Sequence, residues 1–376
     1  MNWDTIRFLK ATYKEHYFRD SDRIEFPSRI EEREFGYMPF GGGMVRHLAF
    51  RSAGEAVAEI VRQAPSSIYC SNALYDSPSL PMEEKGWKGA ELIFDIDASD
   101  IPTPCKREHD IWFCHDCSSK GRLPRPQKCP NCGSASVEEI HNVCEVCLEA
   151  ARDHAARLIR LLTEDFSVQP AGITTYFSGN RGYHLHVHDG RFDPLDAASR
   201  AEIADYVRGA GMLIPQSFVL SLRRSQRLEE TALLDNRGWL GRIAKVLSSS
   251  SPTPPQPEAK EKKGGDGIHA HINRAIEAQV SRVDPSVTTD IHRVFRMPGT
   301  LHGSTGLLKM KVKSLERFKP LSDPVVLGST RVKVTVKYSP QFTLNGERLG
   351  PFKSESVSIP AYAAVYLLAR GLAEVS

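Results

Sequence analysis

The sequence predicts a mixed α/β fold with a metal-binding insertion, and three observations carry that prediction. Strand-like alternation appears in 91–97 and again in the pair 173–177 and 182–187, whereas 147–162 repeats apolar residues at helical spacing. Seven of the eight cysteines crowd between Cys105 and Cys147. A tract rich in Ser, Pro, Lys and Gly at 248–267 breaks an otherwise helical, basic region.

The bounds are those of a globular protein. The chain has 376 residues, enough for one large domain with insertions or for two to three smaller ones. It is 40% hydrophobic and 25% charged, with 49 Lys and Arg against 46 acids, so the net charge of +3 excludes little. No run approaches the roughly 18–20 apolar residues of a membrane span. Met1-Asn-Trp-Asp4 has neither a basic nor an apolar leader pattern. The chain reads as soluble and intracellular, where clustered C-x-x-C pairs point to metal and not to disulfides.

Taken in order, 1–35 is charged and helical in pattern, with Trp3, Ile6, Phe8 and Leu9 as its apolar stripe. A turn-rich stretch at 33–43 leads into a strand over 44–50 that carries Arg46. A helix is expected over 53–63, with Ala56, Val57, Ile60 and Val61 inward. The segment 66–90 reads as irregular. In Glu91-Leu-Ile-Phe-Asp-Ile-Asp97, Asp95 and Asp97 share one face of a strand, roughly 6.5–7 Å apart. Leu148, Ala151, Ala155, Leu158, Ile159 and Leu162 make the stripe of a long helix opened by Cys147. Residues 195–247 are mostly helical and basic, including Arg223, Arg224, Arg227, Arg237, Arg242 and Lys245. A helix follows near 268–282. The tail holds a strand at 332–336 and an amphipathic helix from Ala361, with Ala364, Leu367, Leu368 and Leu372 inward.

Four constellations carry chemistry. Two close carboxylates repel each other and lose water, and a divalent cation between Asp95 and Asp97 offsets both costs. A bare D-x-D is more often a solvated strand end, so the other motifs must tip the balance. Cys114-x2-Cys117 and Cys129-x2-Cys132, eleven residues apart, form a zinc-ribbon pattern suited to tetrahedral Zn²⁺. Cys105, His109, Cys144 and Cys147 can make a second, Cys3His site around it, with His141 as an alternative to His109. One site with mixed ligands is the other possibility. Four protein ligands leave no open position, so either zinc reads as structural.

In Ser178-Gly-Asn-Arg-Gly-Tyr-His184, a glycine turn, a hydroxyl, Arg181 and His184 converge on what suits a phosphate, although such a turn alone is usually just a hairpin. In 284–302, Arg293 and Arg296 are i, i+3 neighbours if 289–297 is a helix, and His302 follows Pro298-Gly299. Asp284 and Asp290 are the candidates for a third carboxylate. Joined together, aspartates for Mg²⁺ or Mn²⁺ and cations for a triphosphate are the equipment of nucleotidyl transfer. No G-x-x-x-x-G-K-[ST] loop is present.

At this point the sequence resembles the small, catalytic subunit of the archaeal and eukaryotic type of DNA primase. The likeness is carried, in order, by Arg33-Glu-Phe-Gly36 with Arg46, by Asp95-Ile-Asp97, by Ser178 to His184, and by Asp284 to His302. It implies a primase catalytic domain from 1–100, 148–194 and 284–376. A zinc-binding insertion spans 101–147, and a mostly helical inserted subdomain spans 195–283 with 248–267 flexible. It implies catalytic metal ligands Asp95, Asp97 and Asp284, with Asp290 second. It implies a nucleotide site of Arg46, Ser178, Arg181, His184, Arg296 and His302. Cys105, His109, Cys144 and Cys147 match the family's zinc knuckle, so the ribbon is an addition. Asn180 stands where some members have a second basic residue.

The resemblance further implies an enzyme that makes primers de novo on single-stranded DNA from nucleoside triphosphates. A large subunit, often carrying an iron–sulfur cluster, is the expected partner, and the cytoplasm of an archaeal-type cell the expected location. The basic residues of 205–247 and 309–333 are the expected template groove. Two rivals stand beside this reading. One is a repair polymerase of the same fold, which the long zinc-bearing insertion and 195–283 disfavour. The other is a non-catalytic zinc-ribbon protein that binds nucleic acid, which the intact acidic pair disfavours.

Overall fold

The structure, a computed structural model, describes residues 1–142, 144–224, 237–249 and 266–376. Most of the tract 248–267 and Arg227 lie outside the described residues.

The chain is mixed α/β and is organised around two four-stranded antiparallel sheets. The first has the order Val294–Arg296, Ser67–Ser71, Phe35–Met38, Val45–Leu48. The second has the order Met310–Lys311, Ile173–Phe177, Gly182–Val187, Leu92–Asp97. Alternation explains the edge strand Leu92–Asp97. Leu92, Phe94 and Ile96 are fully buried in the main core, whereas Asp95 and Asp97 on the opposite face stay half-buried. Beneath the buried face runs the helix Glu145–Glu164, whose inward stripe includes Cys147, Leu148, Ala151, Ala155, Leu158 and Leu162. Ile93, Val287 and Phe295 form a small buried cluster that ties the acid-bearing strand to the first sheet.

Two appendages follow from local sequence. Strands Lys120–Arg122, Ile111–Cys114 and Val137–Ile140 make a separate small sheet that displays the cysteine pairs. Helices Gln216–Arg224, Gly238–Ser249 and Asp266–Gln279 enclose their own core of Phe218, Val219, Leu222, Ile243, Ala244, Ile272 and Ala275. A third sheet, Phe352–Pro360, Arg331–Ser339, Ala373–Val375, closes the C-terminal side.

Four expectations are corrected. In the first helix, Trp3–Arg19, the buried stripe is Thr5, Leu9, Tyr13, His16 and Tyr17, and Trp3 is 72% exposed. Polar and aromatic residues fill that stripe, so counting aliphatic residues misplaces it. The segment 66–90 is not irregular but holds strands Ser67–Ser71, Ala73–Tyr75 and Trp87–Ala90. Ser67–Ser71 lies inside its sheet with little exposure on either face, so it shows no alternation.

Residues 289–297 are not a helix. A short helix Pro285–Thr289 ends before the strand Val294–Arg296, which pairs Val294 with Ser71, Phe295 with Cys70 and Arg296 with Tyr69. Arg293 and Arg296 are therefore not neighbours on a helical face. Pairing with a sheet edge outweighs the local pattern there. Finally, the helix Ala361–Ala369 is buried on every side from Tyr362 to Leu368, not amphipathic, because it is enclosed by the third sheet and the first helix.

Candidate active site

The site lies where the second sheet's edge faces the strand Val294–Arg296. Gly182–Val187 pairs in register with Leu92–Asp97, placing His184 opposite Asp95 and Gly182 opposite Asp97. A Cβ at Gly182 would meet the Ile96 carbonyl oxygen at 2.1 Å, so only glycine permits this approach. Gly179, at φ +82°, turns the chain between the strands, with the Leu307 carbonyl oxygen 2.9 Å from where a Cβ would stand.

Asp284 joins the acidic pair from 189 residues beyond Asp95 in sequence. Its backbone N–H donates to the Asp95 carbonyl oxygen at 2.9 Å, while its carboxylate caps the helix Pro285–Thr289 by accepting from Ser286 N–H at 2.9 Å. Asp290 accepts from His292 N–H at 2.9 Å and belongs to the following turn. Burial, then the charges of Asp97 and Asp284, push the Asp95 carboxyl up to about 7, while Lys309 and Arg293 oppose that shift. The charges of Asp97 and Asp284 raise the proton affinity of Asp95, and oxygen donors of this kind fit Mg²⁺ or Mn²⁺. One oxygen of Asp97 accepts from Ser99 N–H at 2.7 Å, Ser99 Oγ at 2.8 Å and Arg181 Nε at 2.8 Å.

The phosphate-binding candidates surround these acids. Ser178 Oγ accepts from Asn180 N–H at 3.3 Å and Gly182 N–H at 3.2 Å, holding the turn. Arg181 pairs with Asp97, and His184 Nε2 lies 3.4 Å from an oxygen of Asp95. Arg296 donates from Nη1 to the Ser178 carbonyl oxygen at 3.4 Å, and its buried Nε has no hydrogen-bond partner among the described residues. A half-buried guanidinium with a spare donor suits an anion. His302 accepts from Ser304 N–H at 3.1 Å, and its carbonyl oxygen accepts from Tyr13 O–H at 3.0 Å. Burial holds His184 and His302 neutral by pushing both well below the usual histidine range.

Arg46 stands on the other sheet, on Val45–Leu48, and is held by Glu34 through Nε at 2.8 Å and Nη2 at 3.2 Å. Glu34 is fully buried and also accepts from the fully buried Lys85 Nζ at 2.5 Å. Sequence reading gave Glu34 no role of its own within Arg33-Glu-Phe-Gly36 and left Lys85 out, and its expectation that Lys309 belongs to a template groove is corrected, since Lys309 is fully buried. Only the fold puts each of the three beside a partner.

Both cysteine sets close up as separate tetrads. Cys114, Cys117, Cys129 and Cys132 form one, and Cys105, His109, Cys144 and Cys147 the other. Sulfur separations of 3.4 Å (Cys105 to Cys147), 3.5 Å (Cys117 to Cys129) and 3.7 Å (Cys114 to Cys132) approach the roughly 3.8 Å edge of a tetrahedral Zn–thiolate site. His109 turns Nε2 toward Cys147 at 3.3 Å and Nδ1 toward Asp110 at 2.8 Å. His141 binds the other oxygen of Asp110 at 2.9 Å and stands outside the tetrad, which decides between the two histidines. Thus the residues fit two zinc ions with unmixed ligand sets.

No helix among the described residues is long and apolar enough to cross a membrane. The family model described as DNA primase small subunit matches residues 126–313. The DNA primase small subunit PriS of Cenarchaeum symbiosum is 37% identical over 377 residues, covering 100% of both chains. Those of Nitrosopumilus maritimus and Archaeoglobus fulgidus are 35% identical, covering 100% of both chains, and 33% identical, covering 98% of both. A chain so similar along its whole length, with acids and phosphate-type donors gathered at one sheet edge, belongs to the DNA primase small subunit family.

Proposed function

We propose that this chain is the catalytic subunit of a DNA primase. It is a template-dependent nucleotidyltransferase that assembles short primers de novo on single-stranded DNA from nucleoside triphosphates. The observation that carries the reading is the convergence of Asp95, Asp97 and Asp284 with Arg181, His184 and Arg296 at one sheet edge. Asp95, Asp97 and Asp284 would hold Mg²⁺ or Mn²⁺, which would supply activation of the attacking 3′-hydroxyl and stabilisation of the leaving pyrophosphate.

The protein's own groups do the rest. Arg181 and Arg296 offer forked cations to phosphate oxygens, and Ser178 holds the turn whose backbone lines the site. His184 and His302, both neutral, offer hydrogen bonds without a full charge. Arg46, held by Glu34 on the first sheet, is the further cation that the family resemblance gives to the nucleotide. Cys105, His109, Cys144 and Cys147 would hold a zinc ion at the start of Glu145–Glu164, the helix under the acid-bearing strand. Cys114, Cys117, Cys129 and Cys132 would hold a second one that stabilises the separate ribbon. The partner is a large subunit, as the family implies.

The test is synthesis on unprimed single-stranded DNA with labelled nucleotides and Mg²⁺ or Mn²⁺. Short products from wild type and none from Asp97→Ala are expected. Extension of a supplied primer without de novo products, unchanged by adding the large subunit, would favour a repair polymerase of the same fold. No synthesis in either assay, with single-stranded DNA binding intact, would overturn the catalytic reading.

A further inference from the structure

Lys309 is fully buried behind His184, and nothing in the site as described assigns it a role. Its backbone is pinned twice, donating N–H to the Thr300 carbonyl oxygen at 2.9 Å and accepting from Gly299 N–H at 2.7 Å. Its ammonium has two nearby acceptors. One is the Arg296 carbonyl oxygen at 2.7 Å, and the other is His184 Nδ1 at 3.0 Å. The Tyr176 ring lies 5.2 Å beneath it. A purely structural lysine would be satisfied by carbonyl oxygens, whereas this one also engages an imidazole of the candidate site.

That contact has a chemical consequence. Donating to the Arg296 carbonyl oxygen and standing over the Tyr176 ring, the Lys309 nitrogen is placed as an ammonium, which has no lone pair, so His184 Nδ1 accepts. A neutral imidazole that accepts at Nδ1 carries its single proton on Nε2. Nε2 is the atom that faces the acid cluster, 3.4 Å from Asp95. In the other tautomer a bare nitrogen lone pair would face carboxylate and phosphate oxygens, which repel it.

We propose that Lys309 is a positioning residue, which locks His184 as the Nε2–H tautomer so that the imidazole donates a hydrogen bond to a nucleotide phosphate oxygen. This rests on reading the site as a triphosphate site.

Two measurements test it on the full chain. The first is the imidazole ¹⁵N spectrum of histidine-labelled protein, with His184 assigned by its loss in His184→Gln. The expected signal is an Nε2-protonated neutral ring, shifting toward the Nδ1–H form or a mixture in Lys309→Met. An Nδ1-protonated ring in wild type overturns the proposal, even if Lys309→Met fails to fold. The second is ATP and dATP affinity in Mg²⁺. Lys309→Met should weaken binding about tenfold, the size of one lost charge-assisted hydrogen bond. In a His184→Gln background, where the amide donates without help, Lys309→Met should add no further loss. Unchanged affinity, or an equal loss in both backgrounds, overturns the proposal. If wild type binds neither nucleotide, the triphosphate reading fails, and with it the phosphate half of the proposal. The wild-type spectrum then still decides the tautomer.

Discussion

The backbone N–H of Asp284 donates to the carbonyl oxygen of Asp95 at 2.9 Å, so two acids 189 residues apart are fixed by main chain and not by their own side chains. The Asp284 charge reaches the Asp95 carboxyl and, with burial and Asp97, disfavours its ionised form in the metal-free protein. Asp95→Asn should therefore abolish synthesis, by at least about a hundredfold through loss of transition-state charge stabilisation. In chelator it should leave the melting temperature equal to wild type or higher. A clear drop in that temperature would contradict the account of Asp95 as an electrostatically strained ligand.

The same cluster predicts a pH dependence. Burial, Asp97 and Asp284 raise the Asp95 carboxyl from 3.8 to about 7, with Lys309 and Arg293 opposing. Cations need the carboxylate, so apparent Mg²⁺ affinity should fall about tenfold per pH unit below about 7. A raised folded-state value stabilises the metal-free protein below 3.8, and that contribution is lost as pH climbs to about 7. Mg²⁺ should therefore raise the melting temperature more at pH 8 than at pH 5.5, which calorimetry with and without chelator checks.

The two cysteine sets should behave differently. Two zinc ions per chain are expected by elemental analysis. Cys117→Ser should remove one and loosen the ribbon while leaving nucleotide affinity within about twofold, since a structural site acts on its own fold. Cys147→Ser should destabilise the catalytic core as well. Cys147 is buried in the main core, at the start of the helix beneath Asp95 and Asp97, and Cys105 follows the Asp97 turn by eight residues. Equal effects of the two substitutions on core unfolding would refute this division.

Glu34 is the counter-ion of a second buried site. Glu34→Ala leaves the fully buried Lys85 without a partner and should destabilise the protein by about 3–5 kcal/mol. It also frees Arg46, so nucleotide affinity should fall with stability. Arg46 and Lys85 contacts hold the Glu34 carboxyl below its ordinary 4.5, despite burial that pushes the other way. Its contribution is present above that value and is lost as pH falls through the lower folded-state value. Denaturant unfolding of wild type and variant across acidic pH reads both effects.

Gly182→Ala should be more damaging than any surface change nearby, because its Cβ would meet the Ile96 carbonyl oxygen at 2.1 Å. The two strands that carry Asp97 and His184 would separate. Metal affinity and nucleotide affinity should fall together, and retention of both would show that the edge pairing is not what sets the site.

Local chemistry was legible from the sequence by itself. Side chains alternate along a strand, so Asp95 and Asp97 had to share a face, and C-x-x-C pairs bring thiolates together over a few residues. A serine, glycines and an arginine make a turn wherever they stand. The long helix from 145 and the hairpin of 173–187 are of the same kind, since period and turn residues act over short range. Long-range pairing decided the rest. Val294–Arg296 is a strand because an edge of Ser67–Ser71 was open to it. Asp284 and not Asp290 neighbours Asp95 because one backbone hydrogen bond sets that register. His109 and not His141 enters the tetrad because Asp110 holds both rings and turns only one inward. Lys309 meets His184, and Glu34 meets Lys85, only after separate segments have packed. A buried charge acquires its partner from tertiary structure, since desolvation makes that partner necessary and leaves no periodic mark in the chain.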